Sequence, residues 1–139
     1  MFLLLAIIIF SPSAVRADTK FISAKIGKCE YKLEVADSYL KIGRGLSGRK
    51  SLAEKAGMLF IFPSAGRHIF VMDGMNFPLD FIFLRNNRIV DLMGNVSPAG
   101  QKAIRLIPKA KIDRAIELNA GQIKKCRLKT GDFISFHRK

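Results

Sequence analysis

The side chains in this sequence with the types and spacing to do chemistry are few. Three carboxylates, Asp73, Asp80 and Glu117, and one arginine, Arg49, lie among turn and strand signals. Two carboxylates brought together can divide general-acid and general-base work, the arrangement a polymer hydrolase needs. Asp80 follows Pro78-Leu79 and opens an apolar run, so its side chain is held at the end of an element. Two structural roles compete for it: accepting backbone N–H groups in the turn, or pairing with an arginine such as Arg49. Asp73 precedes it across a turn. Glu117 alternates with Ile116 and Leu118, which places it on the solvated side of a strand.

Other chemistries find less support. Residues 43–48 read GRGLSG, a G-x-G-x-x-G. A dinucleotide site needs a strand before the first glycine, a helix after the last and an acidic residue about 20 positions further on. Here a helix signal precedes Gly43, Arg49-Lys50-Ser51 follows, and residues 65–70 hold no Asp or Glu. The stretch reads as a helix stop and a tight turn, and no nucleotide cofactor is expected. Nucleophilic catalysis needs a base beside the nucleophile, and the two histidines, His68 and His137, are far apart in sequence. His68 follows a turn, the place of a solvated or capping side chain. Zinc requires three or four clustered ligands, and His and Cys occur singly here. Met58, Met72, Met75 and Met93 suggest a thioether site for a soft metal, but methionine also fills irregular cores, and the core reading is preferred. No metal is expected.

The elements that must position these residues are mostly strands. Tyr31, Leu33 and Val35 alternate with Lys32 and Glu34. GMLFIF (57–62) is a continuous apolar run, the signature of a strand buried on both faces. HIFVM (68–72), LDFIFL (79–84), RIVDLM (88–93), RAIELNAG (114–121) and DFISF (132–136) follow. Asn86-Asn87 sits between two of them and tolerates the positive φ of a tight hairpin. Pro98 and Pro108 bracket a loop or irregular edge strand. Helix is scarce: one short segment over 38–44, capped by Asp37 or Ser38 and ended by Gly43 or Gly45, and a turn of helix between Ala120 and Arg127. The expected fold is mainly β, a compact sandwich or barrel-like domain with one or two short helices.

RGLSGR (44–49), GMLFIF (57–62), M-x-x-M-x-F-P-L-D-F-I-F (72–83), AIELNAG (115–121) and GD (131–132) occur in this order. Together they resemble the small family called domain of unknown function 192, over about Tyr31 to Phe136. The resemblance implies a compact, mostly β domain that is often exported and has no established activity. Two departures stand out. The family usually has Met after the Gly-Leu pair, where this chain has Ser47. It often has Trp-Met-Lys-Asn where this chain has Val71-Met72-Asp73-Gly74.

Phe2 to Phe10 is an unbroken apolar run, too short to span a bilayer, and Val15-Arg16-Ala17 supplies a signal-peptidase boundary. Residues 1–17 are therefore expected to be a signal peptide and 18–139 a single β domain, exported to the periplasm or beyond. The alternatives are a buried N-terminal strand and an uncleaved membrane anchor. In an oxidising compartment the two cysteines, Cys29 and Cys126, read as a disulfide, with two separate buried thiols as the alternative. The formal net charge is +13, which favours anionic envelope polymer or lipid surfaces as partners. Nucleic acid is not expected, because the basic residues are scattered and lack an aromatic ladder. The expected function is a non-catalytic binding or accessory module of the cell envelope, with a rim site built from Arg49, Met72, Asp73, Met75 and Asp80. The alternative is an envelope polymer hydrolase using Asp80 and a second carboxylate.

Overall fold

The computed structural model describes residues 18–138, and the expected signal peptide over 1–17 lies outside them. Strands β1 (Phe21–Ile26) and β2 (Cys29–Ala36) form an antiparallel hairpin turned at Gly27, whose φ is +58°. The sequence reading places no strand before Tyr31. Residues Ala24 and Ile26 are nevertheless fully buried, but Ser23 and Ala24 are weak strand formers, so the alternation is faint. Helix α1 (Tyr39–Arg44) follows. Ser38 caps it by accepting the Lys41 N–H at 3.4 Å, and Gly45 ends it at φ +50°. GRGLSG is a helix stop, as its setting implied.

Strand β3 (Ala56–Gly66) then runs parallel to β2, so the α1 connection crosses over one face of the sheet. Strand β4 (Phe70–Val71) is shorter than the expected 68–72 because it pairs only with a short partner. Strands β5 (Leu79–Arg85) and β6 (Arg88–Val96) make the predicted hairpin, with Asn86 and Asn87 at φ +50° and +62°. Strand β7 (Arg105–Leu106) is that short partner of β4 and falls between the two prolines. Strand β8 (Ile112–Asn119) inserts between β3 and β5. Helix α2 (Gln122–Lys125) and strand β9 (Ser135–His137) complete the described chain. The last expected strand begins later than 132 because Phe133 makes only an isolated bridge to Arg88.

The order across the main sheet is β6-β5-β8-β3-β2-β1-β9. The segment entering β9 reaches back to the far edge: Ile89 N–H donates to the Asp132 carbonyl at 2.8 Å, and Ile134 N–H donates to Asn87 at 2.9 Å. The sheet thereby curls into a half-barrel. Of the two expected β architectures this is the barrel-like one.

Each side of the sheet carries its own apolar cluster. Inside the curl, Ile26, Leu33, Leu59, Ile82, Ile116 and Leu118 pack beneath α2. On the opposite side, Met58, Phe60, Phe81, Phe83 and Ala115 pack against Leu46 from the α1 loop and Phe70 from the ribbon. This double coverage explains why six successive residues of β5, Leu79 to Leu84, are buried. Gly57 is required at its centre. A Cβ there would stand 2.5 Å from Leu118 Cδ2 and 2.6 Å from the Glu117 carbonyl oxygen. The disulfide joins Cys29, at the start of β2, to Cys126 at the end of α2, and so ties α2 to the curl.

Candidate functional site

The outer apolar cluster is not fully covered. Between the end of α1 and strand β4 a cleft of about 370 Å³ opens onto the sheet, a size typical of small-ligand sites. One wall is the run from Gly43 to Ser47, within the GRGLSG stretch, with Arg44 and Leu46 as its larger side chains. The other is Ile69 and Val71 on and beside β4, with Phe60 and Phe62 of β3 and Leu79 of β5 deeper in. Ile69 and Val71 are each about half exposed, so the apolar surface continues to the mouth. Two loops frame the opening. Ser47 Oγ donates to the Asp73 carbonyl at 3.1 Å, Gly48 N–H donates to the Gly74 carbonyl at 2.9 Å, and Asn76 Nδ2 donates to the Arg49 carbonyl at 2.8 Å. The two departures from the family pattern, at Ser47 and at Asp73-Gly74, therefore touch. Gly74 is at φ +70°, and a Cβ there would collide with Ser47 Oγ.

Glu117 lines this cleft, only 6% exposed. The solvated position expected for it is overturned. In β8 the period-2 alternation has no wet side, because β3 and β5 flank the strand and both faces are covered. Its cross-strand neighbours are Met58 and Phe81, both buried. Among the described residues no side chain or backbone group hydrogen-bonds its carboxyl, and burial pushes it up to about 8. Burial thus favours its protonated form, which can both donate and accept.

Asp80 meets the opposite fate. It is fully buried and faces the α2 side of the sheet. Its two oxygens accept the backbone N–H groups of Asn95 at 2.8 Å and Ile123 at 2.7 Å. Backbone acceptance is thus the role it takes. Arg49 instead pairs with Glu34 on β2 at 2.8 Å. Of the expected rim residues, Asp73 and Met75 line the cleft, Met72 is fully buried in the core below it, and Asp80 and Arg49 do not line it. Met58 joins Met72 in that core, and Met75 and Met93 pack against it. His68 stacks on Phe62, with ring centroids 3.9 Å apart, and its Nε2 lies 2.9 Å from the Ser64 carbonyl.

The apolar walls, and the burial of Glu117 beneath them, were missed by sequence reasoning. The one available signal was the double-sided burial read from GMLFIF, which, extended to the neighbouring strand, would have removed the solvated side from β8. A second hollow, of about 590 Å³, lies over β1 and β2, lined by Phe21, Ile22, Tyr31 and Lys32. Its acid, Glu30, is exposed to solvent rather than buried, and the Tyr31 hydroxyl is taken up by Gln122 Oε1, to which it donates at 2.5 Å. Among the described residues no group of three or more His, Cys, Asp or Glu side chains is placed to hold a metal ion.

Known proteins place this architecture. The family profile described as "Uncharacterized ACR", the domain of unknown function 192, matches residues 22–136. No curated protein matches the chain. A crystal structure of a protein of unknown function from Novosphingobium aromaticivorans is similar, with a TM-score of 0.73, 22% identity and 84% of each chain covered. That of a "putative transcription regulator" from Sinorhizobium meliloti is similar at a TM-score of 0.74 and 23% identity, covering 86% of this chain and 94% of its own. At these identities the likeness is one of fold. With the family profile spanning nearly all of the described half-barrel, this chain belongs to the domain of unknown function 192 family.

Proposed function

We propose that this protein is a non-catalytic binding module of the cell envelope, exported from the cytoplasm, and that its ligand seats in the cleft between α1 and β4. The observation that carries this reading is the apolar cleft itself, continuous from its half-exposed mouth at Ile69 and Val71 to the buried floor. Export is supported by the apolar leader sequence and by the Cys29–Cys126 disulfide, since such bridges persist in oxidising compartments. Among the described residues no helix is long and apolar enough to cross a membrane. Without residues 1–17, whose only charged side chain is Arg16, the net charge is about +12 and adds weak, salt-screened adhesion to anionic envelope polymer or lipid. The hydrolase alternative loses its leading residue, because both Asp80 oxygens are committed to backbone N–H groups.

The cleft is tested with N-phenyl-1-naphthylamine, an uncharged apolar fluorophore. Saturable one-to-one binding is expected, weakened about tenfold by Val71→Asp, which sets a charge on the apolar wall. No saturable binding, or an unaffected Val71→Asp variant, rejects the cleft as the site. Export is checked by intact mass of protein from the envelope fraction, which should lack residues 1–17. Cleavage of an envelope polymer that stops in a folded Asp80→Asn variant would restore the hydrolase.

A further inference from the structure

Resting on the cleft just described, a narrower question is which head group the ligand carries. The lining has two parts that must be matched together. Most of it is apolar and partly aromatic, from Phe60, Phe62, Phe70 and Leu79. Its polar floor is Glu117, a residue only 6% exposed whose carboxyl has no hydrogen-bond partner among the described residues and keeps its remaining access through the cleft. A buried polar group without a partner is costly, and most such groups in folded proteins are satisfied. Asp80 and Asp91, the other buried carboxylates, each accept two backbone N–H groups. Glu117 alone is left facing open volume, which marks it as a contact held for something that enters the cleft.

We propose that the cleft binds an uncharged amphiphile, an apolar chain or ring ending in an amide or hydroxyl head, and that Glu117 in its protonated form exchanges hydrogen bonds with that head.

The chemistry of the walls favours a neutral head over a cation. An ammonium would need an ionised Glu117, and burial opposes ionisation there. The charged groups facing the same space are Arg44 from the end of α1 and Asp73 from the loop after β4, one of each sign. Strands β3, β4 and β5 present only apolar side chains to the cleft. The nearest charged pair along the cross-strand row, Glu34 with Arg49, lies beyond Met58 and is already matched. An amide or alcohol both donates and accepts, as a protonated carboxyl does, so neither partner is left with an unmatched group.

The test uses the disulfide-bonded protein with octanamide and octylammonium as probes, followed through the backbone amide resonances of Phe60, Val71 and Glu117. At pH 6.5 octanamide should bind about tenfold more tightly than octylammonium. Its affinity should fall about tenfold by pH 9.5, where Glu117 ionises. Glu117→Gln keeps a neutral donor and acceptor, so it should bind octanamide within about threefold of the parent and lose the pH dependence, which also separates Glu117 from Arg44 and Asp73. Glu117→Leu, which keeps a bulky apolar floor, should weaken octanamide about tenfold without unfolding. Tighter binding of octylammonium, or loss of octanamide binding in a folded Glu117→Gln variant, overturns the proposal. Equal binding of both probes, indifferent to pH and to Glu117→Leu, also overturns it while leaving the cleft as an apolar site. Failure of both probes to shift the cleft resonances rejects the cleft reading as well.

Discussion

Asp80 on β5 and Glu117 on β8 lie one register position apart on neighbouring strands and face opposite sides of the same sheet. Asp80 enters the side closed by α2 and the disulfide, where backbone N–H groups meet both of its oxygens. Glu117 enters the side covered by the α1 loop and the β4–β7 ribbon, where the cover is incomplete and no group meets it. The same kind of side chain, buried to a similar depth, thus acts as a brace on one face and remains an uncommitted acid on the other. The difference comes from the cover, since a helix end offers backbone donors at short range and a crossover loop spanning an apolar cleft does not.

That contrast is strongest, and most easily broken, at the disulfide. Cys29 and Cys126 are 97 residues apart, so reduction should cost about 4–5 kcal/mol in the chain-entropy account. Urea unfolding with and without reductant measures this. The closed face should loosen first, with exchange of the α2 amides accelerating before those of β4. An unfolding midpoint indifferent to reductant would show that α2 is held by packing alone.

A somewhat smaller loss is expected from Asp80→Asn. The amide can accept from only one of the two backbone donors and turns its own NH₂ toward the other, which should cost about 2–4 kcal/mol. Chemical denaturation checks it. A change below about 0.5 kcal/mol would mean that Asp80 is not a brace and would reopen a chemical role for it.

The effect sharpest in form belongs to Glu117, because it is read as a slope against pH. Its folded value of about 8 lies above the ordinary 4.5, so between these limits the folded protein holds a proton that the unfolded chain has released. Its contribution to stability is therefore fully present below about pH 4.5, declines as the pH rises and is gone once the pH has passed about 8. The slope is at most about 1.4 kcal/mol per pH unit. Glu117→Gln should remove that slope and leave the rest of the pH profile in place. If the variant and the parent have parallel profiles from pH 5 to 8, Glu117 is ionised and partnered in solution, and its contrast with Asp80 disappears.

Features that depend on a few adjacent residues were readable in advance. Ser38 and Gly45 bound a short helix because a hydroxyl can cap the first turn and glycine tolerates the φ of +50° that ends it. Asn86-Asn87 makes the hairpin because asparagine accepts positive φ. GMLFIF announced double-sided burial, and in the structure residues 57–60 are buried throughout. The rim was harder to foresee. Asp73 and Met75 reach the cleft, whereas Arg49 is taken by Glu34, and Asp80 turns to the other face. Choosing among such partners requires knowing which strands are neighbours, and the 15 positions that separate Glu34 from Arg49 say nothing about that.

The sequence by itself determined the alphabet of this domain: short strands, two brief helices, a tandem-Asn hairpin, a glycine helix stop and a basic surface, each set by local φ preferences, periodicity or composition. The tertiary structure alone decided the insertion of β8 between β3 and β5, the curl that brings the segment before β9 to β6, and the crossover that only partly covers the outer face. Those choices turn the Glu117 alternation from solvated to buried and shape the cleft above it. They escape a linear reading because burial is a property of both faces of a sheet, and the covers of those faces come from segments distant in the chain.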